Sequence, residues 1–588
     1  MAKSLFVLSV FFAVTTAHAQ WQTQTVTLKP GWNAVYLHVD ASHVTLDASV
    51  GADNANPIAE IWLWKPRMSP DRFINNPQQP VSGDDWGSWN RSASVADTFD
   101  KLIGNAAYLV RNGGAADYTW SIKGKPVPPR YDWTSKGVNF IGFATPAADP
   151  PFFGTFLSPA QRLASGGEFY RYDDGNNDLT PSLFNALFNT VRVTRGQAYW
   201  IRHAGEFNRY FGAFEIALQN SSGIQFGASG SQHSLRVRNM TAGDITLTLA
   251  LVASEAPPSG QTAIAGTPPL LLRGALNSAN LTYGSTALSS GSQTVTLKPR
   301  GQVGSEAELI LGVNRVAMTG NAGDIFAGIL RLTDSLGYTQ IDLPVTANPA
   351  SSSGLWVGNA LVNQVRHYLK NYQRDAGGKP AQNASGQYVV ASTVTSLGSV
   401  ARPFNLRLII HKSATEARLL QRAYHGIGLG NNTVVTTRES LLLPASLSSA
   451  RRISAVHLPF SDGNAGWACT GQFAQGQSMS AQVNLAFGDY ASNPYLHSFH
   501  PDHDNLNALF SATEVRGGES YDIERKVTLT FTPPGNDFGS LVSGGNQMTG
   551  QYAEEIVLKG RGTESRQIDT AGVFVLKRIS DIATLTTQ

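Results

Sequence analysis

Alternation of apolar and polar residues with a period of two is the feature that most limits how this chain can fold. KVTLTFT (526–532) alternates without a break, and QTVTLKP occurs twice, at 24–30 and 293–299. Side chains of a β-strand point to opposite faces in turn, so such a run buries one face and exposes the other. Glycine, proline and asparagine bound these runs, and long helical periodicity is almost absent. We therefore expect an all-β chain of serial antiparallel β domains.

Residues 1–19 have the layout of a secretory signal peptide. Lys3 precedes an apolar run at 5–14, and Ala-His-Ala at 17–19 supplies a small-x-small cleavage pattern. We expect the mature chain to begin at Gln20 and to be exported to the extracellular space, the cell surface or the periplasm. No later segment reaches the about 20 apolar residues of a membrane helix, so we expect no transmembrane segment in the mature chain.

Cysteine content and charge further limit the class of protein and its partners. Cys469 is the single cysteine of 588 residues, whereas a secreted eukaryotic protein of this size usually carries disulfide pairs. This favours a bacterial envelope or exported protein. The 45 Lys and Arg residues balance 42 Asp and Glu residues and are scattered along the chain, so we expect no nucleic-acid partner.

The N-terminal third contains one pattern twice. LKPGWNAVYLHV (28–39) is echoed by TSKGVNFIGFAT (134–145), and GNAAYLVRNGG (104–114) by GQAYWIRHAGE (196–206). This spacing predicts a duplicated β unit, in which each half is too small to bury its own apolar face well. The flanks of the two QTVTLKP segments do not align, so we attribute that recurrence to convergence on good strand chemistry.

Turn-rich breaks and strand spacing divide the rest of the chain. Alternating strands joined by short turns at 225–348 have the layout of an immunoglobulin-like sandwich, without its cysteine pair. The predicted division is a signal peptide at 1–19, a duplicated module at 20–218 (halves about 20–128 and 129–218), the sandwich at 225–348, a linker at 349–354 and a C-terminal β domain at 355–588.

Two parts of the chain resemble known protein families. The Gly-Trp-Asn strand and the closing Gly-x-x-Tyr-Trp strand of the module resemble a bacterial surface module. GLWVGNALVNQV (354–365) and NPYLHSFHPDHDNLNALF (493–510) resemble the C-terminal region of uncharacterised multidomain exported proteins of verrucomicrobial-type bacteria. The resemblance implies an exported, surface-associated protein and implies no activity.

A cluster of histidines and aspartates is the strongest candidate for metal chemistry. His500, Asp502, His503 and Asp504 could converge in a loop, and their mixed imidazole and carboxylate side chains suit Zn²⁺ or another transition metal. Such a site would be a structural ion or, beside a cleft, a metal-dependent hydrolase. The alternative is a structural loop in which Asp504 caps the helical turn that follows. We expect no other cofactor.

Tryptophans supply the candidate glycan site. Trp86 and Trp89 occur in DDWGSWNR, a Gly/Ser-rich stretch that predicts an exposed loop. Exposed tryptophans stack on sugar faces, so this loop would carry a carbohydrate-binding function.

The function that these features favour is structural or adhesive, at the bacterial cell surface or in its matrix. Serial β domains make spacers that present loops, and we find no catalytic constellation, so we expect a protein that is not an enzyme. The expected partner is a cell-surface or extracellular glycan or protein. Carbohydrate binding through the two tryptophans and metal binding at 497–504 are the alternatives.

Overall fold

A computed structural model describes the chain from Gln20 onward, with gaps. The described residues are 20–66, 74–81, 83, 85–92, 96–132, 137–172, 179–203, 209–320, 323–367, 370–373, 375–377, 381–386, 389–393, 397–458, 466–486, 489, 521–535, 537–542, 545–560 and 566–587. Antiparallel sheets dominate them, which confirms the predicted all-β class. They include no helix of the length and apolarity that a membrane crossing requires.

The chain divides into two compact units, unit 1 (1–349) and unit 2 (350–588). This boundary falls at the start of the predicted linker at 349–354. Unit 1 holds the predicted module and the predicted sandwich, and unit 2 corresponds to the predicted C-terminal β domain.

The first part of unit 1 forms three small sheets. Their strands are β1 (Gln22–Leu28), β2 (Gly31–Leu37), β3 (Val39–Asp40), β4 (Ile58–Trp64), β5 (Trp86–Asn90), β6 (Ala106–Asn112), β7 (Tyr118–Pro126), β8 (Val138–Ile141), β9 (Gly167–Arg171), β10 (Ser182–Leu183) and β11 (Tyr199–His203). The strand orders are β1-β7-β3, β2-β6-β4-β5 and β10-β9-β11-β8. Short helices occur at α1 (Phe153–Phe156) and α2 (Gln161–Gly166), with single turns at Asp47–Gly51 and Asn185–Leu187.

The two halves of the module pair their strands in the same register. Strand β6 lies between β2 and β4, as β11 lies between β8 and β9. Asn33 faces Val110 in the first half, and Asn139 faces Ile201 in the second. Each asparagine donates its side-chain N–H to the carbonyl oxygen of the glycine two residues before it, at 3.0 Å in the first half and 3.3 Å in the second. Residues matched in the sequence are thus matched in strand pairing.

Ion pairs repeat this correspondence on the neighbouring strands. Arg111 on β6 pairs with Glu60 on β4 at 2.8 Å, and Arg202 on β11 pairs with Glu168 on β9 at 3.5 Å. The two halves also share an aromatic cluster, in which Trp64 of the first half packs edge-on against Trp200 of the second with ring centroids 5.0 Å apart. Each half therefore covers an apolar face of the other.

The second part of unit 1 is a two-sheet sandwich. Its strands are β12 (Phe214–Leu218), β13 (Ile224–Gln225), β14 (Gln232–Asn239), β15 (Ile245–Ala253), β16 (Ile264–Gly266), β17 (Leu270–Asn277), β18 (Thr282–Ala287), β19 (Gln293–Leu297), β20 (Glu306–Val313), β21 (Ile325–Asp334) and β22 (Gln340–Ala347), with single turns at Leu288–Ser290 and Arg315–Ala317. The strand orders are β12-β14-β20-β17-β18 and β13-β22-β21-β15-β19, with β16 beside β21. Leucines, valines and isoleucines of both sheets form one core.

The sandwich begins earlier than its predicted start at 225. Strand β12 falls inside the segment assigned to the module, yet it pairs along its whole length with β14. Its Phe214 and Ile216 side chains are buried in the sandwich core, which explains why β12 joins the five-stranded sheet of the sandwich.

Unit 2 contains a closed barrel of eight strands in the order β23-β26-β27-β31-β32-β33-β34-β35, a ribbon β24-β25 and a sheet β30-β28-β29-β36. The strands are β23 (Gly354–His367), β24 (Lys370–Tyr372), β25 (Val390–Thr393), β26 (Gly398–Lys412), β27 (Ala417–Leu419), β28 (Arg422–Ile427), β29 (Thr433–Thr436), β30 (Arg451–Ser454), β31 (Trp467–Gly471), β32 (Ser478–Leu485), β33 (Tyr521–Phe531), β34 (Gln547–Gly560), β35 (Arg566–Ser580) and β36 (Leu585–Thr586), with single turns at Glu439–Leu441, Pro444–Ser446 and Phe538–Val542. A Cβ atom at Gly358 would overlap the carbonyl oxygen of Val575, so glycine permits the close approach of β23 and β35.

Candidate functional site

The predicted glycan tryptophans are buried, which makes the expectation of an exposed loop wrong. Trp86 and Trp89 lie on β5 and are 2% and 1% exposed. Their odd spacing directs them to opposite faces of the strand, and both faces are covered. Trp86 packs edge-on against Trp64 at 5.0 Å, and the Trp89 indole N–H donates to Asp47 at 2.8 Å. Neither ring can serve as a sugar platform.

The predicted metal ligands lie outside the described residues. His500, Asp502, His503 and Asp504 belong to the connection between β32, which ends at Leu485, and β33. Within the described ranges no group of three or more His, Cys, Asp or Glu residues is placed to hold a metal ion. The metal site stays a prediction.

A small cleft of about 20 Å³, room for about one water molecule, opens in unit 1 between the module and the sandwich. Its lining is largely aromatic and contains neither a thiol nor an amine: Tyr36, His38, Asn105, Pro129, Arg130, Tyr131, Gly142, Ala144, Phe211, Phe214, Thr339 and Ile341. Burial, followed by the charge of Arg195, holds the pKa of His38 well below its ordinary value, so its imidazole is neutral. The His38 Nε2 atom is buried without a hydrogen-bond partner among the described residues. The cleft is thus lined by hydroxyl, amide, guanidinium and imidazole groups beside apolar side chains.

A buried ion-pair network lines a smaller cavity that also contacts His38. Asp342 on β22 accepts from Arg331 at 2.7 Å and faces Arg195 at 3.5 Å, and its side chain is 2% exposed. Burial alone would raise the pKa of Asp342, but the Arg331 hydrogen bond and the charge of Arg195 hold it below its ordinary value. Arg195 also donates to the backbone carbonyls of Thr145 and Gln340 at 3.0 and 2.9 Å. The network joins the module to the sandwich.

Unit 2 has a comparable buried pair inside its barrel. Arg525 contacts Glu554 at 2.6 Å, and the Tyr552 hydroxyl donates to the same carboxylate at 2.8 Å. Burial, and then the charge of Glu554, raises the pKa of Tyr552. Burial and the charge of Arg525 lower the pKa of His457 to about 4, so that imidazole is also neutral near pH 7. All four groups are engaged in packing the barrel.

The two QTVTLK segments form strands β1 and β19 and end in the same hydrogen bonds. Asn112 donates its side-chain N–H to the carbonyl oxygens of the last β1 residue and of Ala116, at 3.1 and 3.0 Å. Asn239 donates to the last β19 residue and to Gly243, at 3.5 and 2.8 Å. Each asparagine also accepts the backbone N–H two residues further on.

Lysines complete the match between the two segments. Lys29 after β1 pairs with Asp117 at 2.6 Å, and Lys298 after β19 pairs with Asp244 at 2.9 Å. In both cases the aspartate directly precedes the neighbouring antiparallel strand. The flanks that do not align along the sequence therefore correspond in space, through the strand that each segment pairs with.

The surroundings of the two strands differ. At the start of β1, the Trp21 amide donates to Ser254 at 2.8 Å, and the amide and hydroxyl of Thr23 donate to Glu255 at 2.8 and 2.6 Å. Glu255 also pairs with Lys123 on the adjacent strand at 3.4 Å. Charged groups of the sandwich and of β7 thus hold β1 in place.

Strand β19 instead ends a segment that carries no charge. Residues 274–297 contain no Asp, Glu, Lys, Arg or His. We name this segment the uncharged edge. It comprises the outer half of β17, then β18, the last strand of the five-stranded sheet, and β19, the last strand of the six-stranded sheet. The chain passes between the two sheet edges through Leu288, which is buried in the sandwich core.

The β17–β18 hairpin exposes apolar side chains at its end. Leu276 and Leu281 are 48% and 75% exposed. Leu281 has φ of +56°, a left-handed conformation that glycine or asparagine adopts more readily and that costs leucine on the order of 1 kcal/mol. An exposed leucine held in this conformation contributes nothing evident to packing within unit 1.

The sequence analysis missed this surface, although one of its signals is visible in the sequence. The absence of charge from 274–297 can be read directly, because charged residues make up 15% of the chain. That β18 and β19 are edge strands follows only from pairing with β17 and β15, which the sequence does not specify.

The search of protein-family models and the search of curated proteins both returned no match.

Proposed function

We propose that this chain is an exported structural protein that makes adhesive contacts at a bacterial cell surface or in its matrix. The observation that carries the proposal is the uncharged edge, with its exposed leucines and two strands at sheet edges. Monomeric proteins usually guard such edges with charged residues or proline, because the unpaired backbone groups of an edge strand attract other strands. An unguarded, partly apolar edge favours a contact surface.

The contacts between the module and the sandwich in unit 1 support a structural role. The buried Asp342 ion pairs and the hydrogen bonds of Trp21 and Thr23 connect the module to the sandwich. A rigid body transmits force from one contact to another without reorganising. We also propose that the sandwich is immunoglobulin-like and that the chain is related to exported proteins of verrucomicrobial-type bacteria. Both agree with a surface role.

Adhesion by cells that produce the protein tests this proposal. Cells lacking the gene would be complemented with wild type, with Leu276→Asn/Leu281→Asn, or with the control Val303→Asn/Leu336→Asn. The control removes leucine and valine side chains that are 44% and 98% exposed elsewhere on the same sandwich. Attached cells and cell aggregates are counted, and the exported amount of each variant is measured with an antibody.

We expect the Leu276→Asn/Leu281→Asn variant to lose most of the adhesion and the control to retain it. Asparagine tolerates the left-handed conformation at 281, so loss of folding does not explain the expected result. Equal adhesion by all three proteins would contradict the proposal, as would detection of the protein only inside the cell.

A further inference from the structure

We infer that the partner of the uncharged edge is a second copy of this chain, bound through antiparallel pairing of β19 with the β19 of the other copy. The inference rests on the proposed function and specifies its partner. It is carried by the sequence and pairing of β19, by the absence of charge around it, and by its position as the last strand of its sheet among the described residues.

The central residues of β19 are complementary to themselves. In TVT (294–296), a twofold axis at Val295 places Thr294 opposite Thr296 of the other copy, and Val295 opposite its own equivalent. The threonine pairing already occurs between β19 and β15, where Thr296 faces Thr246 with hydroxyl oxygens 3.1 Å apart, whereas Val295 faces Leu247. Threonine pairs and β-branched pairs stabilise adjacent strands. The same strand chemistry can therefore continue across the axis.

Absence of charge matters most in a symmetric contact. Across a twofold axis each surface meets its own copy, so like charges near the axis repel each other. The nearest charge after β19 is Lys298, which Asp244 neutralises at 2.9 Å, and the register places Lys298 opposite Ser292. At the other end, Arg273 lies over the Tyr283 ring at 4.6 Å. Between these two residues the sequence carries no charge that would repel a second copy.

The strand is also held in a shape suited to pairing. Leu297 and Leu288 are 1% and 2% exposed and anchor both ends of the segment that leads into β19. Asn239 fixes the end of the strand through the carbonyl of Leu297. A pre-ordered edge loses little conformational freedom when it pairs, which favours strand addition.

Sedimentation velocity of the purified protein is the first test. We expect a monomer–dimer equilibrium over about 1–100 µM, the range in which a short strand-to-strand contact operates. In Thr294→Lys/Thr296→Lys the register places lysine opposite lysine, so the dissociation constant should rise at least tenfold. The control is Thr25→Lys/Thr27→Lys, which makes the same exposed substitutions in the matching strand β1. It should dimerise like wild type.

Disulfide formation between two copies provides a second test, which detects the dimer directly and does not depend on weakening it. Val295→Cys would place two thiols opposite each other across the axis with Cβ atoms about 4.5–5.5 Å apart, so a small approach of the strands reaches the about 3.5–4.5 Å of a disulfide. With a mild oxidant we expect a disulfide-linked dimer on a non-reducing gel. Val26→Cys, in the matching position of β1, should stay monomeric. Burial raises the pKa of the native thiol Cys469 to about 11, which keeps it unreactive.

Several results would overturn the inference. They are a wild-type monomer at every concentration, dimerisation unaffected by the lysines at 294 and 296, equal loss in the β1 control, and absence of a Val295→Cys dimer. If the wild type is monomeric while the Leu276/Leu281 variant still loses cell adhesion, the second copy is excluded and the adhesive function stands with a different partner. If adhesion is unaffected as well, both fail.

Discussion

The sequence QTVTL occurs in both β1 and β19, and the two strands differ mainly in what surrounds them. Their pairing register, their asparagine hydrogen bonds and their lysine–aspartate pairs correspond. Strand β1 is held by charged and buried groups of the sandwich, whereas β19 borders an uncharged segment. Strand-forming chemistry therefore does not decide whether an edge is a contact surface. The neighbouring side chains do.

Removal of the buried Asp342 carboxylate, which accepts a hydrogen bond from Gln22 on β1, should cause the largest loss of stability. Asp342→Ala removes the carboxylate that pairs with Arg195 and Arg331 and accepts from the Gln22 side chain, which leaves the largely buried Arg195 without its ion-pair partner. We expect the free energy of unfolding to fall by about 3–5 kcal/mol. Urea unfolding followed by tryptophan fluorescence measures it.

The control for this substitution comes from the β19 side. Asp244→Ala removes a carboxylate that is half exposed and pairs with Lys298. Its cost should stay below about 1 kcal/mol, because exposed ion pairs contribute little. Similar costs for the two substitutions would show that the two strands are held in equivalent ways, which contradicts the comparison.

The shared asparagines should matter next, and to a similar degree on both sides. Asn112→Ala and Asn239→Ala each leave buried carbonyl oxygens without a donor, so we expect losses of about 1–3 kcal/mol, larger for Asn239. Asn239 is 0% exposed and serves one more carbonyl than Asn112. The control is Asn220→Ala, an exposed asparagine that also accepts the N–H two residues on. A large loss in only one of the two variants would break the equivalence.

Acid should weaken the attachment of β1 slightly. Burial opposes ionisation of Glu255, but the Thr23 and Lys123 hydrogen bonds hold its pKa below the ordinary 4.5. Stabilisation from a depressed pKa is complete above the unfolded value and is lost as the pH falls through the folded value. The stability difference between wild type and Glu255→Gln should therefore be largest near neutral pH and vanish in acid.

Urea unfolding of both proteins at neutral pH and at successive acid steps measures that difference. A gap that is constant over the whole range would show that the carboxylate acts without changing its charge state. A gap that widens in acid would reverse the sign of the effect and refute the assigned role of Glu255.

Local patterns in the sequence were sufficient for the fold class. Alternation predicted the strands, and matched phrases predicted which residues of the two halves correspond, such as Asn33 with Asn139. Long-range pairing was not accessible. Trp86 and Trp89 are buried because segments distant in the sequence, including Trp200, cover their sheet. For the same reason no local pattern indicates that β18 and β19 are edge strands.

Amide hydrogen exchange at two protein concentrations tests the central claim most directly. TVTL is identical in 25–28 and 294–297, so the intrinsic exchange rates of the two strands are closely matched. If a second copy covers the uncharged edge, protection of β19 should rise about tenfold from low to high concentration while that of β1 stays constant. Concentration-independent exchange in β19, or an equal change in both strands, would contradict the account.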